Sequence, residues 1–581
     1  MINNKINLFS STLCLLLKLF LIKEDEFVNF GELNISNEIA TLDYFSKKVN
    51  LSSNSFKSLE KKLLKLVGNL DKYEIVYLDK QEALNVTKND QFSYEIINNS
   101  SQKTFKFFKF IKQNILFWHE ADILDKPSTL KFISFLSIGG AYWQGNEQNS
   151  QLTRIGFCAF STNEELNNFL QKLEESKERD HRRIGKNLEL FTFNPLCGMG
   201  MPIWLPAGTI LKKIIGDYVH ESQLKYGFSF VSTPILGNLD LYKISGHYNH
   251  YNEDMFPLIE LKNESMMLRP MTCPHHCLVY LSKPRSYRDL PIRLSEDSIL
   301  HRYESSGALS GLERVRMMTL LDNHVFCSSN QIENEIINAY NIIIEVISTF
   351  NIKFDRVDLS LHDPNNKSKF IDDEQMWKSS ETQLEAALKK LNINFTKQIG
   401  DAAFYGPKID FQCRTVLNKL VTCSTIQLDF SLPKKFKTTY IDSNNVENNC
   451  VLVHIGIVGT YERFIATLLE QTKGILPLWL APLQVQIIPV NNQAHSEACQ
   501  KIYQVLVANK VRCEVDFREE RLSKKIRDAQ TKKIPLQVVI GDKEAENLDQ
   551  INYRKYGSEA INNISLNEFV KIISDANKNH Q

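Results

Sequence analysis

No apolar run in this sequence is long enough to cross a bilayer. The longest candidate, residues 8–22, spans about 15 positions against the roughly 20 required, and Lys18 interrupts it. It lacks a small-residue cleavage site, so a buried helix or strand is expected there rather than an anchor or a signal. An excess of either charge is also lacking: 69 lysines and arginines face 68 aspartates and glutamates. That balance excludes a general nucleic-acid coat and confines any polyanion site to a local basic patch. The 11 cysteines are scattered over 581 residues without a disulfide framework, which fits a reducing compartment where thiols stay free or bind metal. The cytoplasm is the expected location, with no membrane partner. Neither a P-loop nor a GxGxxG is present.

The length calls for roughly three or four domains. Residues 1–160 mix short apolar runs with Asn/Ser-rich turns and carry little obvious chemistry. Residues 161–193 read as a helical linker: Thr162 and Glu165 have capping-box spacing, and Leu166, Phe169, Leu170 and Leu173 fall on one face. Residues 194–478 form one large domain of Gly/Pro turns, aromatics and long helices. One helix is predicted from Asn330, with Ile332, Ile336, Tyr340, Ile343 and Ile347 on a single stripe. In residues 479–581 the strand-like VQIIPV, VRCEVDF and LQVVIGD alternate with helical segments, the pattern of a small parallel-sheet α/β domain.

Two strings carry chemistry. In HRYESSGALSGLERVR, residues 301–316, Arg302 and Arg314 flank a Gly/Ser-rich loop between strand-like runs. A hairpin would point both guanidiniums at one place, where they could bind a phosphate, with Glu304 placed to take the exocyclic amine of a purine. Alone, such a loop is more often a solvated hairpin. The second string, GTYERF at 459–464, shifts that weighing. Thr460 could cap the following helix and put Arg463 in its first turn, where N–H groups and dipole favour an anion.

Together these strings resemble motifs 2 and 3 of the class II aminoacyl-tRNA synthetases, and the region around Pro234 resembles their motif 1, which forms the dimer interface. Within the class, RPMTCPHH (269–276), LLDNHVF (320–326), DAAFYGPKIDF (401–411), STIQLDFSLP (424–433) and RDHRRIG (179–185) are similar to the threonyl-tRNA synthetases, in order across residues 137–575. The resemblance implies an α/β multidomain fold: a degenerate N-terminal region holding an editing remnant, a helical linker, a class II antiparallel-sheet catalytic domain and an α/β anticodon-binding domain. It implies a homodimer that activates threonine with ATP and Mg²⁺ and transfers it to the 3′ end of tRNA(Thr).

It further implies one zinc ion per subunit on Cys273, His324 and His454, which long stretches of chain separate. Spacing alone would pick the local cluster Cys273, His275, His276 and Cys277. By the same resemblance Arg302, Glu304, Arg314 and Arg463 bind ATP. Asp322 and Tyr405 hold the polar groups of threonine, Gln427 forms the floor, and Lys408 serves the carboxylate or phosphate region. His247, in GHY, matches a histidine that assists at the terminal ribose, although an isolated histidine is as readily structural. Arg518, Lys533, Glu544 and Arg554 would read anticodon bases.

The sequence also departs from the family. Met318 and Leu320 stand where motif 2 usually carries a phenylalanine and a glutamine, and Thr422 replaces a glutamine near the pocket. Tyr553 replaces an arginine of the last strands, where an aromatic could stack on a base. The bacterial-type editing domain carries an HxxxH with a downstream Cys and His. Before the linker this chain has only His119, and GGAYWQG (139–145) resembles just the end of that domain. Loss of editing is therefore expected. Serine should leak into the pocket, since a missing methyl is worth about 1–3 kcal/mol. Two other readings compete with this one. HIGI (454–457) and RLSKK (521–525) mimic the class I signatures but lack the early Rossmann context. A catalytically impaired, synthetase-like RNA-binding protein would fit Met318 and Leu320, but not the retained arginines and metal ligands.

Overall fold

The structure, a computed structural model, describes residues 2–36, 38–67, 73–111, 114–146, 148–250, 252–367, 369–415 and 420–581. The chain divides into two compact units, Met1–Glu175 and Ser176–Gln581.

The first unit opens with helix α1 (Ile2–Glu24). Leu13, Leu15, Leu16, Leu17, Leu19 and Leu21 are all buried, so the helix is apolar on every side and serves as a core element. Among the described residues no helix is long and apolar enough to cross a membrane. Lys18 does not interrupt the burial. It is only 3% exposed, donates from Nζ to the Trp118 carbonyl at 3.3 Å and lies over the Phe30 and Trp118 rings. Strands β1 (Asn29–Ser36), β2 (Ile39–Phe45), β3 (Tyr73–Asp79), β4 (Thr104–Phe110), β5 (Ile115–Trp118), β6 (Phe132–Tyr142) and β7 (Gln151–Phe160) form two antiparallel sheets, β1-β2-β7-β6 and β3-β4-β5. His119 is buried beside α1, its Nε2 2.9 Å from Ser11 Oγ.

Helix α2 (Asn163–Arg179) begins where the capping box predicts: Thr162 Oγ1 accepts from Glu165 N, and Glu165 returns the bond to Thr162 N. The division between the units falls inside this helix.

In the second unit, helix α3 (His181–Asn187) and helix α4 (Cys273–Tyr280) accompany an eight-stranded sheet. Its strands are β8 (Ser229–Phe230), β9 (Ile292–His301), β10 (Met317–Cys327), β11 (Arg356–Leu361), β12 (Thr396–Ile399), β13 (Lys408–Arg414), β14 (Leu420–Asp429) and β15 (Val451–Thr460), in the order β8-β9-β10-β15-β14-β13-β11-β12. Every pair is antiparallel except the two at the edges. Side chains alternate across this sheet with period two. Leu321, Val325, Val453, Ile457, Ile426, Leu428, Ile409 and Phe411 enter the main core with helix α5 (Ile332–Thr349). Met318, Leu320, Asp322, His324, His454, Gly456, Thr425, Gln427, Lys408 and Asp410 face a cleft on the other side. A one-residue slip would exchange the two sets. Helix α5 begins at Ile332, after a short turn in which Gln331 Oε1 accepts from Ser328 N and Ser328 Oγ, and not at Asn330. Ile332, Ile336, Ile343 and Ile347 are buried as the stripe predicts.

Helix α6 (Tyr461–Thr472) leaves β15 directly. Beyond it a five-stranded sheet runs in the order β17-β16-β18-β19-β20, from β16 (Val485–Pro489), β17 (Cys513–Val515), β18 (Leu536–Ile540), β19 (Gln550–Lys555) and β20 (Ile561–Ser565). The expected parallel sheet is in fact mixed. The three predicted strands are parallel, but β19 and β20 are antiparallel. Residues 541–549 and 556–560 are too few for the crossover of about a dozen residues that a parallel partner needs.

Candidate active site

The cleft on the polar face of the eight-stranded sheet has a volume of about 650 Å³. Strand register decides what stands where along it. His324 on β10 pairs with His454 on β15, His454 with Gln427 on β14, and Gln427 with Lys408 on β13, so four predicted residues lie in one row across the sheet. The neighbouring row holds Asp322, Gly456, Thr425 and Asp410.

One end of the cleft is cationic. β9 and β10 form the expected antiparallel pair around the loop 302–316. Arg302 faces the cleft with its guanidinium against Pro270 O and Met271 Sδ. Thr460 Oγ1 accepts from Arg463 N at 3.2 Å, so Arg463 does occupy the first turn of α6. Its Nε bonds Glu313 O at 3.2 Å. Burial and then the nearby charge of Arg302 push the pKa of Arg463 down. Such a cation favours an incoming anion. The two loop arginines do not converge as predicted. Arg314 turns to Glu304 Oε2, at 2.8 Å from Nε and 2.7 Å from Nη2, with half of its side chain exposed. Attraction to a carboxylate in the same loop prevails over the convergence of two like charges. Lys408 is likewise paired, its Nζ 2.6 Å from Asp410 Oδ2.

The other end holds a compact donor set. The ligand atoms of Cys273, His324 and His454 lie within 4.8 Å of one another, and all three residues are buried. A tetrahedral ion with bonds of about 2.0–2.3 Å spans such a set. His324 Nε2 is 2.8 Å from His454 Nδ1, while His454 Nε2 is 3.1 Å from the fully buried Asp429 Oδ2. Asp429 is itself held by Ser431 N and Leu432 N. Burial pushes the Cys273 thiol well above its ordinary range, and Asp322 and Asp429 add to the shift. A thiol and two imidazoles beside two carboxylates make a donor set that a divalent cation satisfies. Among the described residues His275, His276 and Cys277, which spacing alone adds, do not belong to this group of ligand atoms.

Beside the donor set, Tyr405 Oη donates to Gln427 Oε1 at 2.6 Å, and its ring lies 5.2 Å from that of His454. Asp322 is buried, and burial pushes its carboxyl up. Met318, Leu320 and Thr422 also line the cleft. His247 borders it, fully buried, with Nδ1 2.8 Å from Ser245 Oγ. Burial and then the charge of Lys435 push His247 down to about 3, so its imidazole is neutral.

Sequence reasoning missed several supporting residues. Glu462 is buried and accepts from Thr319 N at 2.9 Å, tying α6 to β10. His181 bonds Glu470 Oε1 at 2.7 Å through Nδ1 and accepts from Leu312 N at 3.0 Å, fixing the 302–316 loop from below. The only sequence signal for either was membership of a quoted string.

In the C-terminal domain the four candidate residues are held by local partners. Arg518 is held by Asp516 and Asp528. Lys533 Nζ donates to Lys473 O. Glu544 accepts from Gly541 N and Asn552 Nδ2, and Arg554 stands two positions after Asn552 on β19. Tyr553 is not presented for stacking on a base: its ring is buried against Phe569, with centroids 5.0 Å apart, because Ile551 and Tyr553 of β19 face the core.

Comparison with known proteins gives the family. Residues 256–472 match the class II tRNA synthetase core domain (G, H, P, S and T), and residues 484–576 match an anticodon-binding domain. The threonine–tRNA ligase of Mycoplasmoides gallisepticum is 52% identical over 98% of this chain and 99% of that protein. That of Staphylococcus aureus is 44% identical over 90% of this chain and 81% of its own length. The solved RNA binding domain of threonyl-tRNA synthetase from Cryptosporidium parvum superposes with a TM-score of 0.65 at 34% identity, covering 68% of this chain and 98% of that one. The chain therefore belongs to the threonine–tRNA ligase family of class II synthetases.

Proposed function

We infer that the protein joins threonine to ATP, giving threonyl-adenylate and pyrophosphate, and then transfers the threonyl group to the 3′ end of tRNA(Thr), releasing AMP. The observation that carries this reading is the shared cleft: the Cys273, His324 and His454 donors line the same cavity as Arg302 and Arg463. No side-chain nucleophile is required. The threonine carboxylate attacks the α-phosphorus, and positioning with charge stabilisation lowers the barrier.

In this reading Arg302 and Arg463 hold the α-phosphate and the developing negative charge, with Mg²⁺ accompanying ATP. Glu304 and Arg314 lie at the nucleotide side, and Lys408 stands by the carboxylate. Cys273, His324 and His454 hold one zinc ion. When bound, zinc with three protein ligands offers an open position to an amino group and a β-hydroxyl together. Asp322 and Tyr405 hydrogen-bond those same groups over the Gln427 floor. His247, at the cleft edge, is the candidate to assist at the terminal ribose. With its pKa held at about 3 it is a weak base, so its part is to orient a ribose hydroxyl by a hydrogen bond and not to take up the proton. Arg518, Lys533, Glu544 and Arg554 remain the candidates for the anticodon. Phe230, Ile235 and Leu236, exposed around Pro234, support a homodimer, and the cytoplasm stays the proposed location. The impaired-protein reading gives no reason for a half-buried Arg463 beside a second cation.

We also propose that seryl-tRNA editing is lost. His119, the only histidine before the linker, is buried against Ser11 and is not part of a histidine cluster. The purified protein is expected to charge tRNA(Thr) with threonine and, more slowly, with serine, and to leave Ser-tRNA(Thr) undegraded. Rapid hydrolysis of preformed Ser-tRNA(Thr) would overturn the loss of editing, and failure to charge threonine would overturn the function itself.

A further inference from the structure

The two histidines of the donor set are supported differently. His454 has a carboxylate directly behind it. His324 instead has a second imidazole: its Nδ1 is 2.9 Å from His276 Nδ1. His276 Nε2 in turn lies 3.3 Å from Glu296 Oε2, and Glu296 Oε1 is paired with Arg269 Nη2 at 3.0 Å. Thr233 completes the end of the chain, donating from Oγ1 to Glu296 Oε2 at 2.8 Å and accepting from Arg269 Nη1 at 2.7 Å. His276 and His324 are fully buried, and Arg269 and Glu296 nearly so. Cys273 and His276 occupy positions i and i+3 of α4, so one helix face delivers both a thiol ligand and the support for an imidazole ligand.

We propose that His276 is a positioning residue that fixes the tautomer and ring orientation of His324 through a His324–His276–Glu296–Arg269 relay. If His324 Nε2 binds a metal it must present a lone pair, so the proton sits on Nδ1. That N–H donates to His276 Nδ1, which forces the His276 proton onto Nε2, where it meets the carboxylate. Every donor in the row then faces an acceptor, and Arg269 supplies the charge that balances Glu296. A carboxylate behind a ligating imidazole raises its basicity and holds its plane. Here the same influence is passed through one more ring. His276 has this role only if the cluster holds zinc as proposed above.

The test compares wild type, His276→Leu and His276→Gln for zinc affinity, by competition with a chromophoric chelator, and for the KM of threonine and ATP. Leucine keeps the volume and removes both bonds. Glutamine can accept from His324 through Oε1 and donate to Glu296 through Nε2. Wild type is expected to bind one zinc, His276→Leu to bind it about 10–100-fold more weakly, with a raised KM for threonine and an unchanged KM for ATP, and His276→Gln to recover most of both. Unchanged zinc affinity in folded His276→Leu, or a glutamine variant no better than leucine, would overturn the relay alone. A wild-type protein that binds no zinc would overturn the zinc reading and the relay together.

Discussion

Arg463→Ala is expected to slow threonine-dependent ATP–pyrophosphate exchange by about 10²–10³-fold, or about 2.7–4 kcal/mol, the usual loss when one preorganised charge-stabilising donor is removed. The effect should fall on chemistry and not on folding. The capping bond of α6 uses the backbone N–H of residue 463, which alanine keeps. Losing a half-buried cation whose charge Arg302 opposes also relieves a repulsion, so the melting temperature should hold or rise. Zinc content should be unchanged, because the ligand atoms come from α4, β10 and β15. A variant that loses zinc, or unfolds, would show that Arg463 acts through structure.

Cys273→Ser is expected to do the reverse: the metal goes, and with it selectivity for the hydroxyl. A serine hydroxyl at the start of α4 is a poor substitute for a thiolate, and His324 and His454 alone, 2.8 Å apart, make a two-ligand site. A pocket built around a substrate hydroxyl excludes the analogue lacking it by about 10⁴–10⁵, whereas an apolar pocket discriminates isosteres by only about 10². The ratio of kcat/KM for threonine over valine should therefore collapse towards the lower figure, while the KM for ATP changes little. Metal analysis and competition between the two amino acids check both halves.

How much of this was legible in the sequence depends on the range of the interaction involved. Local chemistry could be read directly. The Thr460 cap, the Thr162–Glu165 box and the apolar stripe of α5 depend on neighbours within one or two helical turns. Cross-strand pairing is a different matter. Nothing in the spacing of His324 and His454 says that they lie opposite each other, because that follows from the register of β10 and β15. The triad was reached through resemblance alone. The same holds for Glu296 and Arg269, whose link to His276 needs β9, the segment before α4 and α4 itself to be assembled.

Errors arose where tertiary context overrode a local preference. Lys18 interrupts the apolar run in the sequence, yet two aromatic rings and a carbonyl accommodate it in the core. Arg314 found a carboxylate in its own loop. Tyr553 fell on the inward side of β19, a parity that a single residue type does not reveal.

The central claim, a hydroxyl-reading metal pocket joined to an arginine-lined nucleotide site, is tested most directly by ATP–pyrophosphate exchange on purified wild-type protein with matched metal analysis. The expected result is one zinc per chain and exchange that depends on threonine and is nearly silent with valine. Threonine-over-valine discrimination of the same size in a chain stripped of zinc would contradict it.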